Sequence, residues 1–118
     1  MTLSFDASAV AFERDPEINA EYLVLAERRD GSGQRLEIQR SLAVEDQDEA
    51  LAQDTCCLVT TDGTTHYGGV FGWRIAGSTL SLTLDEAATQ VLGVDGFRIV
   101  VPAAERATVQ AALRELMT

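Results

Sequence analysis

The chain predicts an α+β fold: a curved, mainly antiparallel sheet of about seven strands, with two helices in the C-terminal third. Three observations carry this. Segments of period-two alternation recur through residue 84, divided by glycine-containing turn signals. Helical periodicity appears only after that point, around 85–93 and 103–116. Tyr22-Leu23-Val24-Leu25 is apolar at four successive positions, which suggests a central strand covered on both faces.

Taken in order, 3–12 alternates: Leu3, Phe5, Ala7 and Ala9 fall on one face, Ser4, Asp6 and Ser8 on the other. The polar run 13–19 contains Pro16 and reads as a loop. Residues 21–28 form a strand, Asp30-Gly31-Ser32-Gly33 a hairpin turn, and 34–41 the return strand, with Leu36 and Ile38 inward. Alternation breaks over 42–53, where Glu45, Asp46, Asp48 and Glu49 crowd into an acidic loop or short helical turn. Residues 54–61 read as a strand, Asp62-Gly63 as a hairpin turn, and 66–75 as a strand whose three glycines point to a bulge, a bend or close backbone approach. After a turn at Ala76-Gly77-Ser78 comes the cleanest strand, Thr79–Leu84, with three leucines inward. Asp85 then suits an N-cap and Gly93 a helix stop, with Ala87, Ala88, Val91 and Leu92 as the stripe between. Phe97–Val101 is the last strand. Pro102 opens the C-terminal helix, on which Val109, Ala112, Leu113 and Leu116 keep helical spacing. That helix should pack across the sheet. Dimerisation through the sheet is a second way to cover the Tyr22–Leu25 run.

At 118 residues, with 46% hydrophobic and 24% charged residues, the chain reads as one domain spanning 1–118 with its own core. No apolar run approaches the ~18 residues of a membrane span. The N-terminus lacks a basic segment followed by a long apolar core, so the cytoplasm is the default compartment. Nineteen acids face nine basic residues, all Arg, and residues 1–54 hold most of the excess. That field disfavours nucleic acid and anionic membranes and speeds encounter with a basic partner.

The chemistry-bearing candidates are few. Cys56 and Cys57 are adjacent, so a strand sends one thiol inward and one outward; both should be free in a reducing compartment. With His66 they make the one thiol–imidazole candidate, the basis of an alternative reading as a small enzyme or ligand-binding domain. A surface strand histidine is the simpler account. Glu45–Glu49 lacks the alternating ligands and central glycine of an EF-hand loop and the cleft that paired catalytic carboxylates need. No glycine-rich phosphate loop is present. Neither a catalytic set, nor a metal site, nor a cofactor is expected. What remains is a binding surface, in which acids steer a partner and aromatics such as Tyr67 and Trp73 anchor it. Tyr67, beside two glycines, is the better anchor; Trp73 fits the core.

Leu36-x-Ile38-Gln39-Arg40-Ser41, Asp46-Gln47-Asp48 with Leu51, Asp54-Thr55, Tyr67-Gly68-Gly69-Val70 and Leu80-x-Leu82-x-Leu84-Asp85 before an Ala-rich helix occur in that order. The pattern resembles the immunity protein 10 family from about residue 20 onward. Ala52-Gln53 and the glycine-rich, aromatic Phe71-Gly72-Trp73 depart from it. The resemblance implies a small cytoplasmic immunity protein of a bacterial polymorphic toxin system. Such a protein is not an enzyme; it binds and neutralises a cognate toxin domain. It transfers no catalytic residue. Glu45, Asp46, Asp48, Glu49 and Tyr67 are the partner-binding candidates, for a toxin domain basic on its contact face. Gln39, Arg40, Ser41, Gly68 and Gly69 are framework.

Overall fold

The computed structural model describes residues 1–41 and 56–117. The acidic segment with Glu45, Asp46, Asp48 and Glu49 lies outside the described residues. Among those described, the strands are β1 (Thr2–Asp6), β2 (Ala9–Asp15), β3 (Ala20–Ala26), β4 (Arg35–Ser41), β5 (Cys57–Thr60), β6 (Thr65–Tyr67), β7 (Val70–Ala76), β8 (Thr79–Leu84) and β9 (Gly96–Val100). Helix α1 (Glu86–Leu92) sits between β8 and β9. A 3-10 turn (Ala103–Glu105) leads from Pro102 into α2 (Arg106–Leu116).

The class is α+β as expected, but nine strands form two sheets instead of about seven forming one. The four-stranded sheet runs β1-β9-β8-β7 and the five-stranded sheet β2-β3-β4-β5-β6. Only the β1–β9 pair is parallel among the described pairings. Two segments that read as single strands each change sheets. In the first, Ala7 N–H donates to Val100 O at 2.8 Å, and the next residue, Ser8, donates to Ala26 O at 2.9 Å. The inward parity changes with it: Phe5 and Ala7 are buried in the core, then Val10 and Phe12 pack against it. In the second, β6 ends at Tyr67 and β7 begins at Val70. A β-bulge between Val70 and Gly72 lets Val70, Trp73 and Ile75 all pack on the core while Phe71 is 79% exposed.

Both sheets and α2 supply one core. Leu23, Leu25, Leu36, Ile38 and Leu58 come from the five-stranded sheet, Leu80, Phe97 and Ile99 from the four-stranded one, all at most 1% exposed. Helix α2 crosses β2, β3 and β4, and its predicted stripe of Val109, Ala112, Leu113 and Leu116 is buried. On α1 the stripe is narrower than expected. Ala88 is buried but Val91 is half exposed, because this seven-residue helix touches the fold through β6. Its caps form as read: Asp85 accepts from Ala88 N–H at 2.9 Å, and Gly93 closes the helix with φ +78°.

The Tyr22–Leu25 run is covered on one face only. Leu23 and Leu25 are fully buried, whereas Tyr22 and Val24 are half-buried on the outer side of β3. The four apolar positions therefore describe a buried face and a semi-exposed one.

Candidate partner-binding face

Register fixes the outer face of the five-stranded sheet, on which Cys57 is itself buried. One row across it reads Glu13, Tyr22, Gln39, Cys57, Tyr67. The next reads Ala11, Val24, Glu37, Val59, Thr65, and toward the other end Asp15, Ala20 and Ser41 align. Tyr22 Oη–H donates to Glu13 Oε2 at 2.6 Å. That bond raises the tyrosine pKa above 10.0, and the charges of Glu13, Asp15 and Glu37 add to it. Three carboxylates therefore act on one phenol. Arg35, on the same side of β4, is paired with Glu37 at 3.2 Å.

Tyr67 is 42% exposed at the end of this row. It hydrogen-bonds the Cys57 thiol, whose pKa is nonetheless raised, chiefly by burial. Beside it lies a pocket of about 170 Å³, lined by Ile18, Ala20, Gln39, Ser41, Cys57 and Tyr67 among others. Ile18, in the β2–β3 turn, is 64% exposed.

The Gln39-Arg40-Ser41 step alternates as a strand must. Gln39 and Ser41 reach the outer face, while Arg40 points inward beside Glu21 and donates to the Leu116 carbonyl at 3.4 Å. A guanidinium at the last turn of α2 satisfies a helix-terminal carbonyl and opposes the negative end of the helix dipole. Nearby, Arg14 bonds both Glu21 and Glu115, tying β2 and β3 to the same helix.

The Tyr-Gly-Gly step joins the sheets. Gly68 N–H donates to Cys56 O at 2.7 Å, and Gly69 O accepts from Asp85 N–H at 2.8 Å. Gly69 has φ +85°, and a Cβ there would stand 2.5 Å from the Ala88 methyl and 3.0 Å from the His66 ring. Only glycine fits.

The two thiols separate as the strand geometry requires. Cys56 joins the core, with its Sγ 3.7 Å from Met117 Sδ. Cys57 is on the outer face beside Tyr67. His66 is half-buried and inward, opposite Leu58 and against Gly69, not on the surface as expected. Burial pushes both thiols above 9.0, away from the thiolate that nucleophilic chemistry uses. Cys57 and His66 point to opposite sides of the β5–β6 hairpin, while Cys56, on the same side as His66, is buried in the apolar core against Met117, so the thiol–imidazole reading gains no support from this geometry.

A family model described as Immunity protein 10 matches residues 6–109. The chain belongs to the immunity protein 10 family. No curated protein and no solved structure matches it significantly. Arg40 bonds the last turn of α2, and Gly68 and Gly69 bond across the junction of the two sheets. Glu13, Asp15, Ile18, Tyr22 and Glu37 were not among the sequence-level candidates. Glu13 and Asp15 fall in the 13–19 run expected as a loop, but β2 continues through Asp15 by pairing with β3, and the loop is only the turn that follows; neither that pairing nor the register that aligns them with Tyr67 is visible in the sequence. No helix among the described residues is long and apolar enough to cross a membrane.

Proposed function

We propose that this immunity protein binds and neutralises the toxin domain encoded beside it in a bacterial polymorphic toxin system, acting in the cytoplasm as a single domain and without catalysis. The family match over residues 6–109 carries this reading. The charge of −10 supports a partner basic on its contact face, because opposite potentials raise the association rate. Glu45, Asp46, Asp48 and Glu49 supply part of the field, and Tyr67 is an anchor.

Co-expression tests it. Cells producing the neighbouring toxin domain should survive when this chain is made with it; continued killing despite soluble expression of both would end the proposal. Reversing Glu45, Asp46, Asp48 and Glu49 to Lys should slow association and flatten its dependence on salt. Unchanged kinetics would remove that segment from the interface.

A further inference from the structure

The carboxylates on the outer face of the five-stranded sheet would by themselves describe a solvated surface. They do not stand alone. The same face carries a concavity of about 170 Å³ at the Tyr67 end of the Glu13–Tyr22–Gln39–Cys57–Tyr67 row. Two large side chains at its rim remain in water, Ile18 at 64% and Tyr67 at 42% exposure. Tyr22 and Val24 are half-buried and uncovered by any described element. The concavity itself is lined largely by polar groups, Asn19, Gln39, Arg40 and Ser41; the exposed tyrosine at its rim is among the commonest anchors of a protein contact.

Charge selects the occupant. Glu13, Asp15 and Glu37 all act on the Tyr22 hydroxyl; of the cations near this face, Arg35 is paired to Glu37, and Arg40, which lines the concavity, donates to the Leu116 carbonyl. A second copy of this chain would bring −10 against −10. A basic protein surface fits, with its cations at Glu13, Asp15 and Glu37 and a separate side chain against Tyr67, which lies four strand spacings of ~4.8 Å from Glu13.

We propose that the outer face of the five-stranded sheet, centred on Tyr67 and the adjoining pocket and bordered by Glu13, Asp15 and Ile18, is the surface on which the toxin domain docks. This rests on the functional reading above and names the surface it leaves open.

The test is calorimetry and association kinetics with the toxin domain encoded beside this chain. Tyr67→Ala and Ile18→Ser should each weaken binding, Tyr67→Ala by roughly thirtyfold or more, the scale of a hot spot. Ile18 is exposed in a turn, so its substitution leaves the core untouched. Glu13→Lys with Asp15→Lys should slow association about tenfold. Asp6→Lys with Glu86→Lys changes net charge equally from exposed positions elsewhere, and should slow it far less. Native-like binding by all the outer-face variants would overturn the inference. So would loss of binding on Phe71→Ser alone, which would move the interface to the edge of the other sheet. Light scattering that shows this face joining two copies of the chain would overturn it as well. If the unaltered chain does not bind the toxin domain, the functional reading falls and takes the docking face with it. Binding by the unaltered chain with variants equally tight removes the docking face alone.

Discussion

The two sheets share an interior and differ in what they turn outward. Inside, both present Leu, Ile and Phe to one core. Outside, the four-stranded sheet aligns Ser4, Arg98, Ser81 and Arg74 in one row and Thr2, Gly96, Thr83 and Gly72 in another. A third row reads Asp6, Val100, Thr79 and Ala76, so the face is mostly small, hydroxylated or cationic with one carboxylate in these rows. The five-stranded sheet aligns Glu13, Tyr22, Gln39, Cys57 and Tyr67, flanked by Asp15 and Glu37. Burial dictates the inner faces, and any sequence that folds this way must supply them. The outer faces are free of that demand, and their difference is what the proposed docking surface draws on.

If the shared core is real, it should fail as a unit. Phe97→Ala on β9 removes a side chain 1% exposed and should cost about 3–5 kcal/mol; Leu23→Ala on β3 should cost about 2–5 kcal/mol. Either should lower the denaturant midpoint in a single transition seen alike by fluorescence and circular dichroism. Two separated transitions would show that the sheets unfold independently, and the comparison would then be between two units.

The junction should be nearly as sensitive. Gly69→Ala forces a side chain into φ +85° and against the Ala88 methyl, which combines backbone strain with overpacking for about 2–4 kcal/mol. Gly72, two residues past the start of β7, has open space where its Cβ would go and no left-handed backbone. Gly72→Ala should therefore change stability by no more than about 0.5 kcal/mol. Equal losses at the two glycines, measured by urea unfolding, would remove the steric account of the junction.

Much of this was legible in the sequence, and the misses have one physical origin. Thr79–Leu84, the Asp85 and Gly93 caps and the α2 stripe appear where the periodicity puts them, because each depends on neighbours within one element. Alternation reports which face a residue takes, but not which sheet the strand joins. So 3–12 read as one strand, although Phe5 and Ala7 being inward and then Val10 and Phe12 marks a change of parity. The same change between Val70 and Trp73 marks the bulge beside Phe71. The face proposed for docking was less legible still. Tyr67 stood out by its glycines, but Cys57, Gln39, Tyr22 and Glu13 of its row come from four other strands, and only register brings them into line.

Adjacent residues on β2 sharpen the contrast between inside and outside. Arg14 turns to the α2 side of β2, where its guanidinium, itself more than half exposed, pairs with Glu21, a carboxylate 5% exposed, and with Glu115 on α2. Arg14→Met leaves Glu21 buried without that partner and should cost about 1–3 kcal/mol. Arg14→Met with Glu21→Leu should recover most of the loss, since apolar replacement of both partners is often neutral. Glu13→Lys, one residue away and facing solvent, should leave the melting temperature unchanged within error. If Glu13→Lys proved the more destabilising, the acidic face would be structural, not reserved for a partner.

The smallest effect concerns acid. Each sheet has a turn aspartate held by threonines: Asp95 by Thr2 and the N-terminal amine in the four-stranded sheet, Asp62 by Thr60 and Thr64 in the five-stranded one. Thr60 Oγ1–H donates to Asp62 Oδ1 at 2.7 Å and Thr64 N–H donates to the same oxygen at 3.0 Å. These bonds lower the Asp62 pKa from 3.8 to about 2. The folded pKa lies below the unfolded one, so the stabilisation is complete above about pH 4 and fades as pH falls toward 2. Asp62→Asn mimics the protonated carboxyl. The urea midpoints of the native and Asn chains should therefore differ by a constant amount near neutrality and converge between pH 4 and 2. A gap that survives undiminished to pH 2 would mean that the β5–β6 hairpin does not draw on the Asp62 charge, and that the two turns are built on different principles.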